Sequence, residues 1–109
     1  MEKKYELTDE TIEVGRKTLC RIRALRDLGD IKQGDLGGYI EKEDNLSHHG
    51  NCWIGGYAKV YDDAKVYENA QVYGDAHIYG HAKIYGEACV CWNDWIDDDR
   101  RISTRKQTR

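Results

Sequence analysis

Hydrophobic and polar positions follow two different rulers along this chain. In the first 25 residues, Tyr5-Glu6-Leu7, Ile12-Glu13-Val14 and Leu19-Cys20-Arg21-Ile22-Arg23-Ala24-Leu25 alternate residue by residue, the period of strands with one buried face. Gly15 interrupts the alternation, so Val14-Gly15-Arg16-Lys17 reads as a turn within a β-meander of two or three strands. From Ala58 the period becomes six. Ala58, Ala64, Ala70, Ala76, Ala82 and Ala88 are each followed two places later by Val60, Val66, Val72, Ile78, Ile84 and Val90. Residues two apart on a strand share a face, so each alanine and its aliphatic partner point inward together. The residue between them points outward, as does the following aromatic, Tyr61, Tyr67, Tyr73, Tyr79 or Tyr85. The pairs that close the units, such as Asp62-Asp63, Glu68-Asn69, Gly74-Asp75 and Gly86-Glu87, suit corners. A short strand and a corner every six residues predict a coil of parallel strands, each turn burying its apolar residues against the next.

Counting in sixes back from Ala58 puts Cys52, Leu46 and Ile40 in the small-residue place and Ile54, His48, Lys42 and Leu36 in the aliphatic place. Counting forward reaches Asp94 and Ile96. The outer units are degenerate, as the caps of a solenoid are. The unit Val60-Tyr61-Asp62-Asp63-Ala64-Lys65 and its copies resemble the hexapeptide repeat of left-handed parallel β-helix proteins. The segment Gly34 to Ile40, followed by units of the Ala-x-Val-Tyr-Gly-Asp type, is similar to small repeat proteins of bacteria and their phages. The resemblance implies three hexads per triangular turn and left-handed winding. One departure is the tyrosine after the aliphatic position, where the family often carries a small residue.

The expected fold is therefore all-β: a short left-handed parallel β-helix over residues 36–96, capped by an N-terminal β-meander in residues 1–35. An acidic-then-basic flexible tail is expected at 97–109. With three hexads per turn, Tyr61 falls in line with Tyr79 and Tyr67 with Tyr85, while Tyr73 lies on the one remaining face. Such aligned aromatics contribute roughly 0.2–1 kcal/mol per pair.

Charged residues make up 34% of the chain and Phe and Pro are absent, which leaves little for a conventional core but enough for a coil lined by Ala, Val and Ile. The sequence shows no apolar run of membrane-spanning length and no signal-peptide pattern, so a cytoplasmic setting in a bacterium or phage-infected cell is expected. Cys20, Cys52, Cys89 and Cys91 form no C-x-x-C motif and have no histidine at ligand spacing, which favours reduced thiols and no metal. Charge is segregated. Residues 36–99 hold twelve carboxylates against Lys42, Lys59, Lys65 and Lys83, a balance of −8, while the stretch from Arg100 onward carries +5.

Many members of the resembled family are acyltransferases, in which a histidine acts as base beside a coenzyme A groove. Here the hexads run without insertion from Ala58 to Val90, His77 and His81 fall at outward or corner places, and His48-His49 lie in a degenerate unit. The chain also lacks Ser-His-Asp, phosphate-loop and paired-carboxylate signatures. The favoured expectation is a non-enzymatic protein-binding module without a cofactor. Its contacts would be Tyr61, Asp62, Asp63, Tyr67, Glu68, Tyr73, Asp75, Tyr79, Tyr85 and Glu87. In its specific form it is a phage-encoded inhibitor of a nucleic-acid-targeting defence such as CRISPR, whose carboxylates imitate a nucleic-acid backbone and fill a basic groove on another protein. The acidic coil itself is expected to bind neither membrane nor nucleic acid. The alternatives are a minimal acyltransferase-like enzyme and a self-assembling structural β-helix. Trp92, Trp95 and Ile96 are expected to plug the lower mouth of the coil and to form the contact of a homodimer.

Overall fold

The six-residue period closes into a three-sided coil. The computed structural model describes residues 3–29, 31–90, 95–96 and 101–102. A hairpin of β1 (Tyr5–Val14) and β2 (Lys17–Ala24) leads to β3 (Leu36–Ile40) and a short 3-10 turn at Glu43–Asn45. Two-residue strands follow at every hexad: β4 (Trp53–Ile54), β5 (Lys59–Val60), β6 (Lys65–Val66), β7 (Gln71–Val72), β8 (His77–Ile78), β9 (Lys83–Ile84), β10 (Cys89–Val90), β11 (Trp95–Ile96) and β12 (Arg101–Ile102). They stack into a first sheet ordered β1-β2-β3-β5-β8-β11, a second of β4, β7 and β10, and a third of β6, β9 and β12. Lys59 pairs with His77 and Lys65 with Lys83, so each turn takes eighteen residues, and the result is a β-solenoid of about three turns.

Backbone bonds between turns carry the stack: the Lys65 N–H donates to the Ala82 carbonyl and the Tyr67 N–H to that of Ile84, each at 3.0 Å. Within a corner, the Ala64 N–H returns to the Tyr61 carbonyl at 3.2 Å. The residue after the aromatic takes a positive φ, supplied by Gly74, Gly80 and Gly86 but also by Asp62 (59°) and Glu68 (61°). A side chain in that conformation costs about 1–2 kcal/mol. Both acids offset it in the same way. The Asp62 carboxylate accepts the Gly80 N–H at 3.1 Å and the Glu68 carboxylate accepts the Gly86 N–H at 2.8 Å, each one turn below.

Alanines and aliphatics of the repeat fill the interior, at most 1% exposed. Cys52 takes an alanine's place above Ala70 and is fully buried. Counting in sixes fails at one point. Ile40 pairs with Val60 and Leu46 bridges Val66, so both stand in the aliphatic column and not in the small-residue place expected for them. Lys42 is exposed and His48 lies outside the apolar core. The cause is the corner between Leu46 and Cys52, which holds two more residues than the corner between Val66 and Ala70 beneath it. Gly50, at φ 74°, turns this longer corner so close to the Glu68 carbonyl that a Cβ would lie 2.4 Å from it. The coil also continues past Ile96. Strand β12, in the stretch expected to be a tail, pairs in parallel with β9 and keeps the count Ile84, Val90, Ile96, Ile102.

At the other end β2 runs antiparallel to β3, and β3 runs parallel to β5, so the first sheet changes sense at β3. Tyr5, Ile22, Ala24 and Leu28 join the core cluster there and cap the coil as expected. The first turn has carbonyls that later turns would pair with a preceding turn's N–H groups. Lys4, fully buried, serves them instead: its ammonium donates to the carbonyls of Cys52 (2.7 Å) and Gly50 (3.2 Å). Asn45 does the same for the next corner. Its Oδ1 accepts from the Glu41 and Lys42 N–H groups (3.0 and 2.9 Å), and its Nδ2 donates to the carbonyls of Asp62 and Ala64 (3.2 and 2.8 Å).

Candidate functional site

The outward positions of β3, β5, β8 and β11 place Tyr39, Lys59, His77 and Trp95 in one column on the first sheet. Trp95 lies flat on His77, with 3.9 Å between ring centroids and 5° between planes. Beside this column Tyr61 stacks on Tyr79 at 5.4 Å and 7°. The two columns meet edge to face, Tyr61 on His77 at 6.2 Å and Tyr79 on Trp95 at 6.0 Å. From β2 the Arg21 guanidinium reaches over Tyr39 (5.3 Å) and Tyr57 (5.6 Å). Leu19 packs on Tyr39 and Tyr61, so those two rings are nearly buried, whereas Tyr57 and Trp95 remain 60% and 59% exposed. Burial, and then the Lys59 ammonium, push His77 below the usual imidazole range, which favours the uncharged ring. Burial pushes the Tyr61 and Tyr39 phenols up.

The expected contact residues do not gather on one face. Asp62 and Asp63 share the corner between the first and third sheets, Glu68 and Glu87 the corner between the third and second, and Asp75 the corner between the second and first. Several are engaged within the chain. Lys17 Nζ lies 2.9 Å from Asp62 and Lys42 Nζ 3.0 Å from Asp63, and the latter contact holds the Asp63 carboxyl below its ordinary value. Glu87 accepts from the Asn69 amide at 3.2 Å. Tyr67 stacks on Tyr85 as expected, at 5.1 Å and 7°, but on the third face. Tyr73, 43% exposed, stands on the second, with its hydroxyl 2.9 Å from the Cys89 sulfur. Of the expected set, the first face brings together Tyr61 and Tyr79, with Asp62 at their edge. Ile96 is 1% exposed inside the coil and is no surface contact, because it continues the inward aliphatic column. Trp92 lies outside the described residues.

A second feature went unread in the sequence. The longer corner opens a cavity of about 410 Å³, lined by Glu43, Asp44, Ser47, His48, His49, Lys65, Tyr67 and Lys83 among others. His48 stacks on Tyr5 at 4.1 Å and 12°. Its Nδ1 accepts the Lys4 N–H at 3.2 Å, so the ring proton sits on Nε2, 3.2 Å from Glu43 Oε1. Lys3, 3.1 Å away, holds the Glu43 carboxyl below the usual range, with His48 adding to the effect. Both nitrogens of His48 are thus engaged within the protein. The readable signal was the eighteen-residue spacing of Lys65, Lys83 and Arg101, which the register stacks in one column.

Among the described residues no group of three or more His, Cys, Asp or Glu side chains is placed to hold a metal ion, and no helix is long and apolar enough to cross a membrane. No protein-family model matches the chain, and no curated protein matches it.

Proposed function

We propose that the protein is a non-enzymatic binding module, a short left-handed coil of the hexapeptide-repeat kind, that recognises another protein through the outer face of its first sheet. The observation that carries this reading is the continuous surface of Arg21, Tyr57, Lys59, His77 and Trp95 backed by the Tyr61–Tyr79 stack. Tryptophan, tyrosine and arginine dominate binding energy where they are pre-organised, and stacking one turn on the next fixes Tyr61, Tyr79, His77 and Trp95 before any partner arrives. The engagement of both His48 nitrogens favours binding over general-base catalysis. The test is affinity capture with the folded chain and with a Tyr57→Ser, Trp95→Ser double variant, followed by reconstitution from purified components. The reading expects a stoichiometric partner that the double variant loses. Equal recovery by both baits refutes it.

The narrower reading, a phage-encoded inhibitor that fills a basic groove in a cytoplasmic defence complex, draws on the exposed carboxylates of Asp63 and Asp75 at the two borders of this face. Asp63→Asn with Asp75→Asn tests it without disturbing the corner bonds of Asp62 and Glu68. Binding should weaken, and wild-type binding should fall with salt over a Debye length of about 8 Å at physiological ionic strength. A second reading, homodimerisation, is favoured by the position of Trp95 on β11, the last strand of the first sheet among the described residues. Sedimentation of wild type and Trp95→Ser separates the two, since only the dimer reading expects a concentration-dependent mass without a partner.

A further inference from the structure

The third face carries a feature that the binding reading above does not use. Ser47 holds the place above Tyr67 that Tyr67 itself holds above Tyr85: the Ser47 N–H donates to the Val66 carbonyl at 2.9 Å, as the Tyr67 N–H donates to that of Ile84 at 3.0 Å. The aromatic ladder on this face therefore begins one turn late, at Tyr67. Where its first rung would stand, the cavity opens, with a volume of about 410 Å³. That volume lies within the range of about 300–1,000 Å³ of small-molecule sites. Lys65 and Tyr67 are two residues apart and both point out of the coil, so an ammonium and a ring border the same opening. Lys83, in register one turn below Lys65, brings a second ammonium to it. Neither lysine takes part in an ion pair among the described residues. Glu43 and Asp44 line the cavity as well.

We propose that this hollow binds a mononucleotide, with its base lying over Tyr67 in the place of the missing rung and its phosphate held by Lys65 and Lys83. Each part of the ligand answers one observation. A planar ring continues a stack whose existing members lie 5.1 Å apart between centroids. A phosphate suits two ammonium groups on neighbouring strands, about 4.8 Å apart at the backbone. Ribose hydroxyls and base amino groups supply donors to the carboxylates of Glu43 and Asp44, which line the same cavity.

The test is calorimetric titration of the purified chain with the mononucleotides AMP and UMP. The comparison ligands are adenosine, inorganic phosphate and phenyl phosphate. Saturable binding of at least one mononucleotide with Kd below about 1 mM is expected, and adenosine and phosphate alone should bind at least about tenfold more weakly. Lys65→Gln with Lys83→Gln should weaken binding at least about tenfold, while Lys32→Gln, exposed in the loop before β3, should leave it unchanged. Tyr67→Leu, shown by its melting temperature to be folded, should weaken it as well. The proposal is overturned by no saturable binding up to about 10 mM, or by an affinity unmoved in the double lysine variant. Phosphate alone binding as tightly would reduce the site to an anion site without a base. Phenyl phosphate binding as tightly would remove the nucleotide from the assignment.

Discussion

The ammonium of Lys4 lies 2.7 Å from the carbonyl oxygen of Cys52, forty-eight residues further along the chain. It stands where a preceding turn would have placed a backbone N–H, and so ends the ladder at its upper edge with a side chain. Its pKa is lowered by burial, while the Cys52 thiol 3.2 Å away is pushed up by the same cause. Lys4→Met keeps the length of the side chain but takes the donor from the buried Cys52 carbonyl and from the part-buried Gly50 carbonyl. We predict a loss of about 2–4 kcal/mol in chemical denaturation, and an unchanged midpoint would show that the bond contributes nothing net.

Alkaline stability follows from the same cluster. The folded thiol of Cys52 titrates above its ordinary 9.0, and burial raises the Tyr5 phenol above its ordinary 10.0. In both cases the unfolded chain releases its proton first, so the folded state is disfavoured as pH rises through those values. Lys4 acts with the opposite sign, because its folded pKa lies below 10.5 and the unfolded chain holds the extra proton as pH approaches that value. Melting temperatures of wild type and Cys52→Ala, measured from about pH 8 to about pH 10, isolate the thiol: the variant should decline less steeply. A parallel decline would mean that Cys52 titrates alike in both states.

Gly38 and Gly15 separate crowding from backbone strain. A Cβ on Gly38 would stand 2.5 Å from the Ala58 carbonyl oxygen, because β3 presses directly on the turn below. At Gly15 nothing lies within 4 Å, and only the φ of +61° opposes a side chain. Gly38→Ala is predicted to cost roughly 3 kcal/mol and Gly15→Ala about 1–2 kcal/mol, read from denaturation midpoints. Similar costs for the two would contradict the packing of β3 against β5.

The regular part of this fold is written in its sequence because every turn repeats the same physical problem. Ala64 and Val66 point inward for the reason that Ala82 and Ile84 do, and the eighteen-residue turn puts Tyr61 on Tyr79 and Tyr67 on Tyr85. The first turn is solved only once, and there the count fails. Nothing local to Leu46 announces that the next corner holds two extra residues; what settles its register is the Val66 strand beneath it. Lys4 and Asn45 are unreadable for the same reason, since their bonds depend on carbonyls brought near only by the finished coil. The candidate surface was half legible. The outward tyrosines follow from the period, but Arg21 joins Tyr57 only through the pairing of β2 with β3. The carboxylates expected to act together, Asp62, Asp63, Glu68, Asp75 and Glu87, divide among three corners once the coil closes.

Recognition through the outer face of the first sheet is tested most directly by one titration. Calorimetry of the purified partner against wild type, Trp95→Ser, Tyr57→Ser and His81→Ala compares the two exposed aromatics with a corner histidine whose ring lies 3.8 Å from Asp63. The prediction is that each aromatic variant, with its melting temperature retained, weakens binding at least about tenfold and that His81→Ala binds as wild type does. Full affinity in both aromatic variants, together with loss of function on replacing a histidine in a folded protein, would contradict recognition through this face and favour the acyltransferase-like alternative.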